Sequence, residues 1–132
     1  MKHIEVVAAI ICYEDEILCM QRPKGKHEYT SFKYEFPGGK IEANEAEVEA
    51  LERELIEEMD MKVVVERPFL VVNHEYPDFD ITMHSYICRV TNKEFVMKEH
   101  VNFKWLKKEE LNQLEWNEAD KPILDKLMNN FN

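Results

Sequence analysis

One short segment carries most of the acidic charge of this 132-residue chain. Residues 42–60 contain nine Asp or Glu residues and a single base, Arg53, so they hold −8 of the formal net charge of −10 at pH 7. Like charges three or four positions apart on a helix repel by roughly 0.2–0.5 kcal/mol per pair. A solvated charged helix would normally intersperse lysines at i+4, and this segment has none.

The spacing of three glutamates in this segment indicates a metal site. Glu54, Glu57 and Glu58 stand at i, i+3 and i+4 and therefore share one helix face, and Glu47 is predicted to lie on the same face two turns earlier. Hard divalent cations prefer oxygen ligands and commonly use carboxylates together with substrate phosphates. The pattern predicts Mg²⁺, with Mn²⁺ as the alternative ion. Two other interpretations remain open, a solvated charged face and an acidic helix that docks on a basic protein.

The helix that would carry these glutamates has recognisable start signals. Asn44 is the predicted N-cap, with Glu47 reaching back as in a capping box, and the helix is predicted to run to about Met59. The predicted buried stripe consists of Val48, Leu51, Leu55 and Met59.

The remainder of the chain is predominantly strand-like. "IEVVAAIICY" and "ILCMQR" predict two strands joined by an acidic turn, and a loop over residues 23–33 follows. Pro37, Gly38 and Gly39 predict a sharp turn in which glycine adopts conformations that other residues avoid. Two long strands follow, "MKVVVERPFLVVNHEY" with a bulge at Pro68 and "FDITMHSYICRV", then a short strand "VNFKWL". A helical turn "KKEELNQL" and a closing helix "ADKPILDKLMNNF" complete a layered α+β fold.

Composition limits the function classes. At 45% hydrophobic residues the chain can form one packed domain over residues 1–132, and its acidity argues against a nucleic-acid polymer as partner. The apolar run at the N-terminus is too short to span a bilayer, so the expectation is a cytoplasmic protein with no membrane partner. Three cysteines in strand-like runs are expected to be buried free thiols.

The positions just described fit a longer pattern. Gly39, Glu45 and the run Arg53-Glu54-Leu55-Ile56-Glu57-Glu58, followed by Met61, match G-x5-E-x7-R-E-U-x-E-E-x-G-U, where U is a bulky aliphatic residue. Residues 39–61 therefore resemble the Nudix box, with Asp60 replacing its last glycine. "YEFPGGKIE" resembles the entry to the box in MutT-type enzymes. The segments "QRP", "KEHVNFKW" and "ADKPIL" are similar to the bacterial CTP pyrophosphohydrolase subgroup.

This resemblance implies a Nudix fold, an α/β/α sandwich with a central mixed β-sheet. It also implies a magnesium-dependent nucleoside triphosphate pyrophosphohydrolase that releases nucleoside monophosphate and pyrophosphate. By matched position, Glu54, Glu57 and Glu58 are metal ligands together with the main-chain carbonyl of Gly39. Glu99 supplies a further ligand or the general base. Glu45 and Arg53 pair to orient the helix, and Arg53 is counted with the catalytic set.

Substrate contacts are expected on both sides of the box. Arg22, Lys24, Lys26 and Lys33 form a basic cluster that is either a phosphate clamp or a solvated loop; Arg22 is the member favoured as a phosphate ligand, and the lysines fit both alternatives. Phe36, Tyr34 and Trp116 could each stack on a base, but core or rim packing is the favoured alternative for each of them, and Phe36 is the one counted as a substrate contact. The sequence assigns no role to His74, His84 or His100, although the first two are candidates for the cleft.

Asp120 is the residue expected to select the base, the alternative being a helix cap. An ionised aspartate accepts from the amino group of cytosine, which favours CTP, dCTP or modified pyrimidine nucleotides. A protonated Asp120 would mimic asparagine and favour 8-oxo-dGTP. A Nudix-like module that binds nucleotide without cleaving it would be expected to lack box glutamates, and all are present. A monomer and a homodimer are both compatible with the sequence.

Overall fold

The computed structural model describes residues 1–129 as seven strands, two α-helices and two short 3₁₀ turns. The strands are β1 (Lys2–Tyr13), β2 (Glu16–Gln21), β3 (Tyr34–Glu35), β4 (Gly38–Lys40), β5 (Val64–Glu75), β6 (Phe79–Arg89) and β7 (Asn102–Lys107). The helices are α1 (Glu47–Met59) and α2 (Lys121–Asn129), and the 3₁₀ turns are Lys108–Gln113 and Glu118–Asp120. The last residues of the predicted closing helix, from position 130, lie outside the described residues.

The strands form one mixed sheet. Its main order is β3-β2-β1-β6-β5, while β4 pairs with β1 and β7 pairs with β2. Only β1 and β6 run parallel among these pairs, in a long register from Lys2 opposite Phe79 to Cys12 opposite Arg89. The ladder between β5 and β6 shifts register on both sides of Pro68, so the predicted bulge is confirmed. The predicted α+β class with a mixed sheet is also confirmed.

Each face of the sheet is covered by one helix. Alternate residues of β1 point to opposite faces, with Val7, Ala9 and Ile11 in the cluster that contains α1, and Ala8, Ile10 and Cys12 in the cluster that contains α2. From α1 the buried residues are Ala50, Leu51, Leu55 and Met59. The predicted stripe was wrong at Val48, which lies in the first turn of the helix and is 36% exposed, while Ala50 is buried in addition to the three other predicted residues.

Helix α1 begins later than predicted. Asn44 has a left-handed backbone with φ of 65° and is not the N-cap. Ala46 occupies that position, and its backbone N–H donates to Oε1 of Glu49 at 2.9 Å, which forms the half of a capping box that an alanine permits. Glu47 is therefore the first helical residue, not the reciprocal cap.

The helix ends at the position where the sequence departs from the Nudix box. Asp60 adopts the left-handed conformation with φ of 51°, a conformation that glycine adopts with less strain. Its backbone N–H donates to the carbonyl of Ile56 at 3.0 Å, and the N–H of Met61 donates to that of Leu55 at 3.2 Å. The helix end predicted at Met59 is thus retained without the glycine.

The two glycines before the helix serve a different purpose from the one predicted. They belong to strand β4 and neither has a positive φ, so the expected glycine-specific turn was wrong. Gly38 pairs with β1 so closely that an added Cβ would lie 1.9 Å from the carbonyl oxygen of Val7. Space, not backbone conformation, requires glycine here.

Two further expectations concern the whole chain. Cys12, Cys19 and Cys88 are free and buried, as predicted, and burial raises the pKa of the Cys19 and Cys88 thiols to about 12. Within residues 1–129, no helix combines the length and the apolar character needed to cross a bilayer.

Candidate active site

The second half of α1 faces strand β4 through Glu54. An added Cβ on Gly39 would lie 2.2 Å from Oε2 of Glu54, so only glycine lets the strand approach this carboxyl so closely. The Glu54 side chain is 16% exposed, whereas that of Glu57, one turn later, is 58% exposed. The predicted ligands therefore occupy unlike environments on the same helix face.

Arg53 organises the acidic segment. Its Nε and Nη2 donate to the two carboxyl oxygens of Glu45 at 2.7 and 3.0 Å, and Nη1 donates to Glu54 at 2.9 Å and to Glu57 at 3.0 Å. Nη2 also donates to the carbonyl of Lys40 at 3.0 Å, which joins the helix to β4. The bidentate contact between Arg53 and Glu45 holds the pKa of the Glu45 carboxyl at about 2. The single base of the segment thus offsets part of the repulsion among its acids.

Glu58 has no such partner. Its Oε2 is buried and receives no hydrogen bond from any residue between 1 and 129. Burial, and after it the negative charges of Glu54, Glu99 and Glu35 in that order, raise the pKa of this carboxyl to about 8. The same two effects, burial and the charges of Glu57 and Glu99, raise the pKa of Glu54 against the opposing influence of Arg53. Glu99, on the exposed loop before β7, is therefore electrostatically coupled to both helix carboxyls.

The donor set fits a hard divalent cation. It consists of oxygens only, includes a buried carboxyl oxygen that lacks a donor, and carries an excess of negative charge. In the described part of the chain, no three acidic, His or Cys side chains already converge on a common metal position. Glu54 and Glu57 are instead hydrogen-bonded to Arg53.

A cavity of about 360 Å³ adjoins this acidic face. Gly39, Lys40 and Glu58 contribute to its wall, as do Arg22 and Asp120, which are distant in sequence. Much of the remaining wall is apolar, with contributions from Ile4, Val6, Phe36, Tyr76, Phe79 and Ile81. The size and the mixture of apolar wall and few polar groups are typical of a small-molecule site.

The basic residues are distributed differently from the predicted clamp. Arg22 lines the cavity, where its Nη1 donates to Glu35 at 3.3 Å and its buried Nε has no acceptor within residues 1–129. Lys33 instead bonds to Glu115, and neither Lys24 nor Lys26 contributes to the cavity wall. The lysine that does line the cavity is Lys40, which the sequence analysis had not singled out.

Asp120 lies at the cavity wall, in the turn immediately before α2. It is 4% exposed, and its Oδ1 accepts a hydrogen bond from the backbone N–H of Phe36 at 3.1 Å. Burial raises the pKa of this carboxyl well above its ordinary value, and the nearby charge of Glu35 adds to the shift. The side chain faces the cavity and the strand segment at Phe36, so it is not simply a helix cap.

Glu35 and Asn117 are two further polar residues of the cavity that were not predicted. Glu35 accepts hydrogen bonds from Arg22, from Nδ2 of Asn117 at 3.3 Å and from Nε2 of His100 at 2.9 Å. The alternation of "YEF" could have indicated that Glu35 faces away from Tyr34, whereas nothing in the sequence around Asn117 distinguishes it from a loop asparagine.

Several other candidates lie away from the cavity. Glu47 bonds to the hydroxyl of Tyr86 and lies 3.5 Å from His84, so its partners lie away from the cavity. His84 itself contacts Glu5 at 2.8 Å, and His74 packs edge-on against Tyr76; neither lines the cavity. Tyr34 and Trp116 are buried in the core, as the alternative interpretation expected.

Comparison with known proteins identifies the family. Residues 6–126 match the sequence model of the NUDIX domain. The chain belongs to the Nudix family. It is 34% identical to the CTP pyrophosphohydrolase of Escherichia coli (strain K12), a match that covers 97% of this chain and 93% of that protein. It is 32% identical to the 8-oxo-dGTP diphosphatase of the same organism, over 96% and 98% of the two chains.

A solved structure supports the same assignment. The solution structure of the Escherichia coli ORF135 protein superposes with a TM-score of 0.81 at 35% identity, over 97% of this chain and 90% of that one. The Nudix fold and a hydrolase of the Nudix family are thereby established. Nudix hydrolases act on nucleotides and generally require a divalent metal ion.

Proposed function

We propose that this Nudix hydrolase is a magnesium-dependent nucleoside triphosphate pyrophosphohydrolase acting on CTP, dCTP or modified pyrimidine nucleotides. The observation that carries the proposal is the shared cavity, which places the carboxyl of Glu58 and the guanidinium of Arg22 in one space with the buried carboxyl of Asp120. Such a space can hold a triphosphate and a base at the same time.

The phosphate chain would lie against the acidic face. Glu54, Glu57, Glu58, Glu99 and the carbonyl of Gly39 would hold Mg²⁺, which supplies charge shielding of phosphate oxygens and acidification of bound water. Arg22 has a buried Nε–H without an acceptor in the described chain and is suited to donate to a phosphate oxygen. Arg53 keeps the helix carboxyls in place through Glu45 and Lys40, so it acts by positioning.

The reaction consumes one water. Its oxygen forms a new bond to phosphorus while a bridging P–O bond breaks, and the products are nucleoside monophosphate and pyrophosphate. A glutamate of the acidic face accepts the proton of the attacking water. Glu58 and Glu99, whose carboxyls are electrostatically coupled, are the two candidates for this role.

The base preference rests on Asp120. Burial favours its neutral acid, which can donate from one oxygen and accept at the other. Because Oδ1 already accepts from the N–H of Phe36, the proton is favoured on Oδ2. Cytosine presents the matching pair, an N3 acceptor for Oδ2–H beside an N4 amino donor for Oδ1, whereas uracil presents a donor at N3 beside a keto oxygen. The raised pKa of Asp120 favours this neutral acid over the ionised aspartate that was expected to bind cytosine.

A second candidate substrate is 8-oxo-dGTP. A neutral Asp120 carries a donor and an acceptor like an asparagine amide, and the similarity to an 8-oxo-dGTP diphosphatase noted above agrees with that substrate. The apolar wall formed by Phe36, Tyr76 and Phe79 is compatible with a purine as well as a pyrimidine.

A release assay tests the proposal. The protein is incubated with Mg²⁺ and CTP, dCTP, 5-substituted dCTP, UTP, dGTP or 8-oxo-dGTP, and pyrophosphate is measured after addition of EDTA as well as without it. We expect metal-dependent pyrophosphate release with the highest kcat/KM on a cytosine nucleotide. A highest kcat/KM on 8-oxo-dGTP would select the second candidate, and no pyrophosphate from any of the six would refute the proposed reaction.

A further inference from the structure

Asn117 occupies a fixed place in the cavity wall. It is 6% exposed, its backbone N–H donates to the carbonyl of Tyr34 at 2.9 Å, and its carbonyl accepts from the N–H of Asp120 at 3.0 Å. These two backbone contacts join the segment before α2 to strand β3 and to the turn that carries Asp120. The position of the side chain is therefore set by the fold, not by a mobile loop.

The two ends of the Asn117 amide have unlike surroundings. Nδ2 donates to Oε1 of Glu35 at 3.3 Å, whereas Oδ1 is buried and receives no hydrogen bond from residues 1–129. Exchanging the two ends would place the amide oxygen against a carboxylate oxygen, so the contact with Glu35 fixes the orientation. A buried acceptor without a donor costs free energy that a bound ligand can recover by supplying an N–H.

We propose that Oδ1 of Asn117 accepts a hydrogen bond from an exocyclic amino group of the substrate base, and that Asn117 thereby selects amino-bearing over keto-bearing bases. The inference rests on the proposed function, because it concerns the base of the same nucleotide. It assigns to Asn117 a part of base selection distinct from that of Asp120.

The chemistry of an amino group explains why two acceptors are useful. An exocyclic NH₂ has two hydrogens, and a site that excludes water must satisfy both. The carbonyl oxygen of a neutral Asp120 can accept one of them, and Oδ1 of Asn117 is available for the other. A keto oxygen at the same point would lie against Oδ1 of Asn117, so that two hydrogen-bond acceptors would meet. We expect such a site to discriminate more strongly against this keto group than against a base that merely lacks the amino group.

Matched pairs of nucleotides test the inference. CTP and UTP differ by amino against keto at C4, and dGTP and dITP differ by the presence or absence of the amino group at C2. For the pair that the wild type hydrolyses, kcat/KM is measured for both members, and binding of the corresponding monophosphates is measured by calorimetry. The same measurements are made on Asn117→Ala, on the volume-matched Asn117→Leu, and on Thr30→Val.

Thr30 is the control because it is also buried in the cavity wall, while its hydroxyl already donates to the carbonyl of His27. We expect wild type and Thr30→Val to prefer the amino-bearing member by about tenfold or more, and both Asn117 variants to lose most of that ratio. A structural role in holding Glu35 would lower both members of a pair equally and would leave the ratio unchanged.

The outcomes are distinguishable. If a folded Asn117 variant keeps the wild-type ratio of kcat/KM between the amino-bearing nucleotide and its partner to within about twofold, the inference is overturned while the proposed function stays intact. If Asn117→Ala does not fold, Asn117→Leu decides. If neither variant folds, equal affinity of the wild type for CMP and UMP overturns the inference. A wild type that hydrolyses none of the six nucleotides of the release assay refutes the proposed function, and the inference with it.

Discussion

Three glutamates within five residues of one helix have different electrostatic surroundings. Glu54 and Glu57 both accept from Arg53, but Glu57 is largely exposed and Glu54 is largely buried against β4. The buried oxygen of Glu58 receives no hydrogen bond from residues 1–129, and burial is the main cause that raises the pKa of this carboxyl to about 8. A divalent cation would supply the missing counter-charge to Glu58.

The first prediction concerns these carboxyls. Glu57→Gln and Glu58→Gln each keep the shape of the side chain and remove a negative oxygen, so we expect kcat to fall by about a hundredfold or more because metal affinity is lost. Pyrophosphate release under saturating nucleotide and Mg²⁺ measures the effect. Glu52→Gln, an exposed position on the same helix, is the matched control and should retain wild-type turnover. Wild-type turnover in Glu57→Gln or Glu58→Gln would remove that residue from the metal site.

A second prediction belongs to Asp120. Asparagine in its place keeps one donor and one acceptor, but its oxygen can only accept and its NH₂ can only donate. We therefore expect Asp120→Asn to shift the ratio of kcat/KM between CTP and 8-oxo-dGTP more than it changes kcat on the better substrate. Thermal unfolding of the variant checks that the hydrogen bond to Phe36 is still made. An unaltered ratio in a folded variant would place Asp120 outside the base contacts.

At the scale of secondary structure, strand β4 brings the site together. It lies against β1 on one side, where Gly38 meets the backbone of Val7, and against α1 on the other, where Gly39 meets Glu54. Arg53 adds a hydrogen bond from the helix to the carbonyl of Lys40. The close approach of strand and helix depends on two residues that lack Cβ atoms.

The third prediction separates the two glycines. Gly38→Ala would force a Cβ against backbone, so we expect a loss of about 2–4 kcal/mol in the free energy of unfolding. Gly39→Ala would meet the end of a side chain, which can move, so we expect a smaller loss of stability but a large loss of activity as Glu54 is displaced. Gly25→Ala is the control, since its nearest atoms are 3.9 Å away, and it should stay within about 0.5 kcal/mol. Urea unfolding and pyrophosphate release measure the two effects, and equal behaviour of Gly38→Ala and Gly39→Ala would contradict the assignment.

The ion pair between Glu45 and Arg53 gives a fourth prediction, on pH. The folded state holds the pKa of Glu45 at about 2, below its ordinary value near 4.5. Its stabilising contribution is therefore present above pH 4.5 and is lost as the pH falls towards 2. We expect the difference in free energy of unfolding between wild type and Glu45→Gln to shrink over that interval, measured by urea unfolding at successive pH values. Parallel curves for the two proteins would show that Glu45 is not held in its ionised form.

At the scale of the whole molecule, the cavity exists only because the fold joins distant segments. Arg22 follows β2, Glu35 ends β3, Glu58 lies on α1, and Asn117 and Asp120 precede α2. The isolated bridge between Tyr34 and Trp116 and the hydrogen bond from Phe36 to Asp120 fix the last segment against the first half of the chain. A nucleotide bound here would contact both halves of the protein.

This joining explains what the sequence could and could not predict. Strand periodicity and the spacing of Glu54, Glu57 and Glu58 are local properties, so the order of elements and the acidic helix face could be predicted from them. Val48 fits the helical spacing of the buried residues and is nevertheless exposed, because periodicity does not show how far along the helix a neighbouring element covers that face. Lys33 was misassigned, and Glu35 and Asn117 were missed, because their partners are far away in sequence. Such contacts leave no periodic signal in a single sequence.

A last prediction tests the metal site through the stability of the whole protein. A ligand that binds only the folded state stabilises it by about 2.7 kcal/mol at one hundred times its dissociation constant, so millimolar Mg²⁺ or Mn²⁺ should raise the melting temperature without any nucleotide. We expect the rise to be much smaller in Glu58→Gln, which loses the buried oxygen that lacks a donor, and unchanged in Asp120→Asn, which alters the cavity beyond the acidic face. EDTA should reverse the rise in wild type. Because this measurement involves no turnover, an equal rise in wild type and Glu58→Gln would show that the ion binds elsewhere, even if both proteins hydrolyse nucleotides.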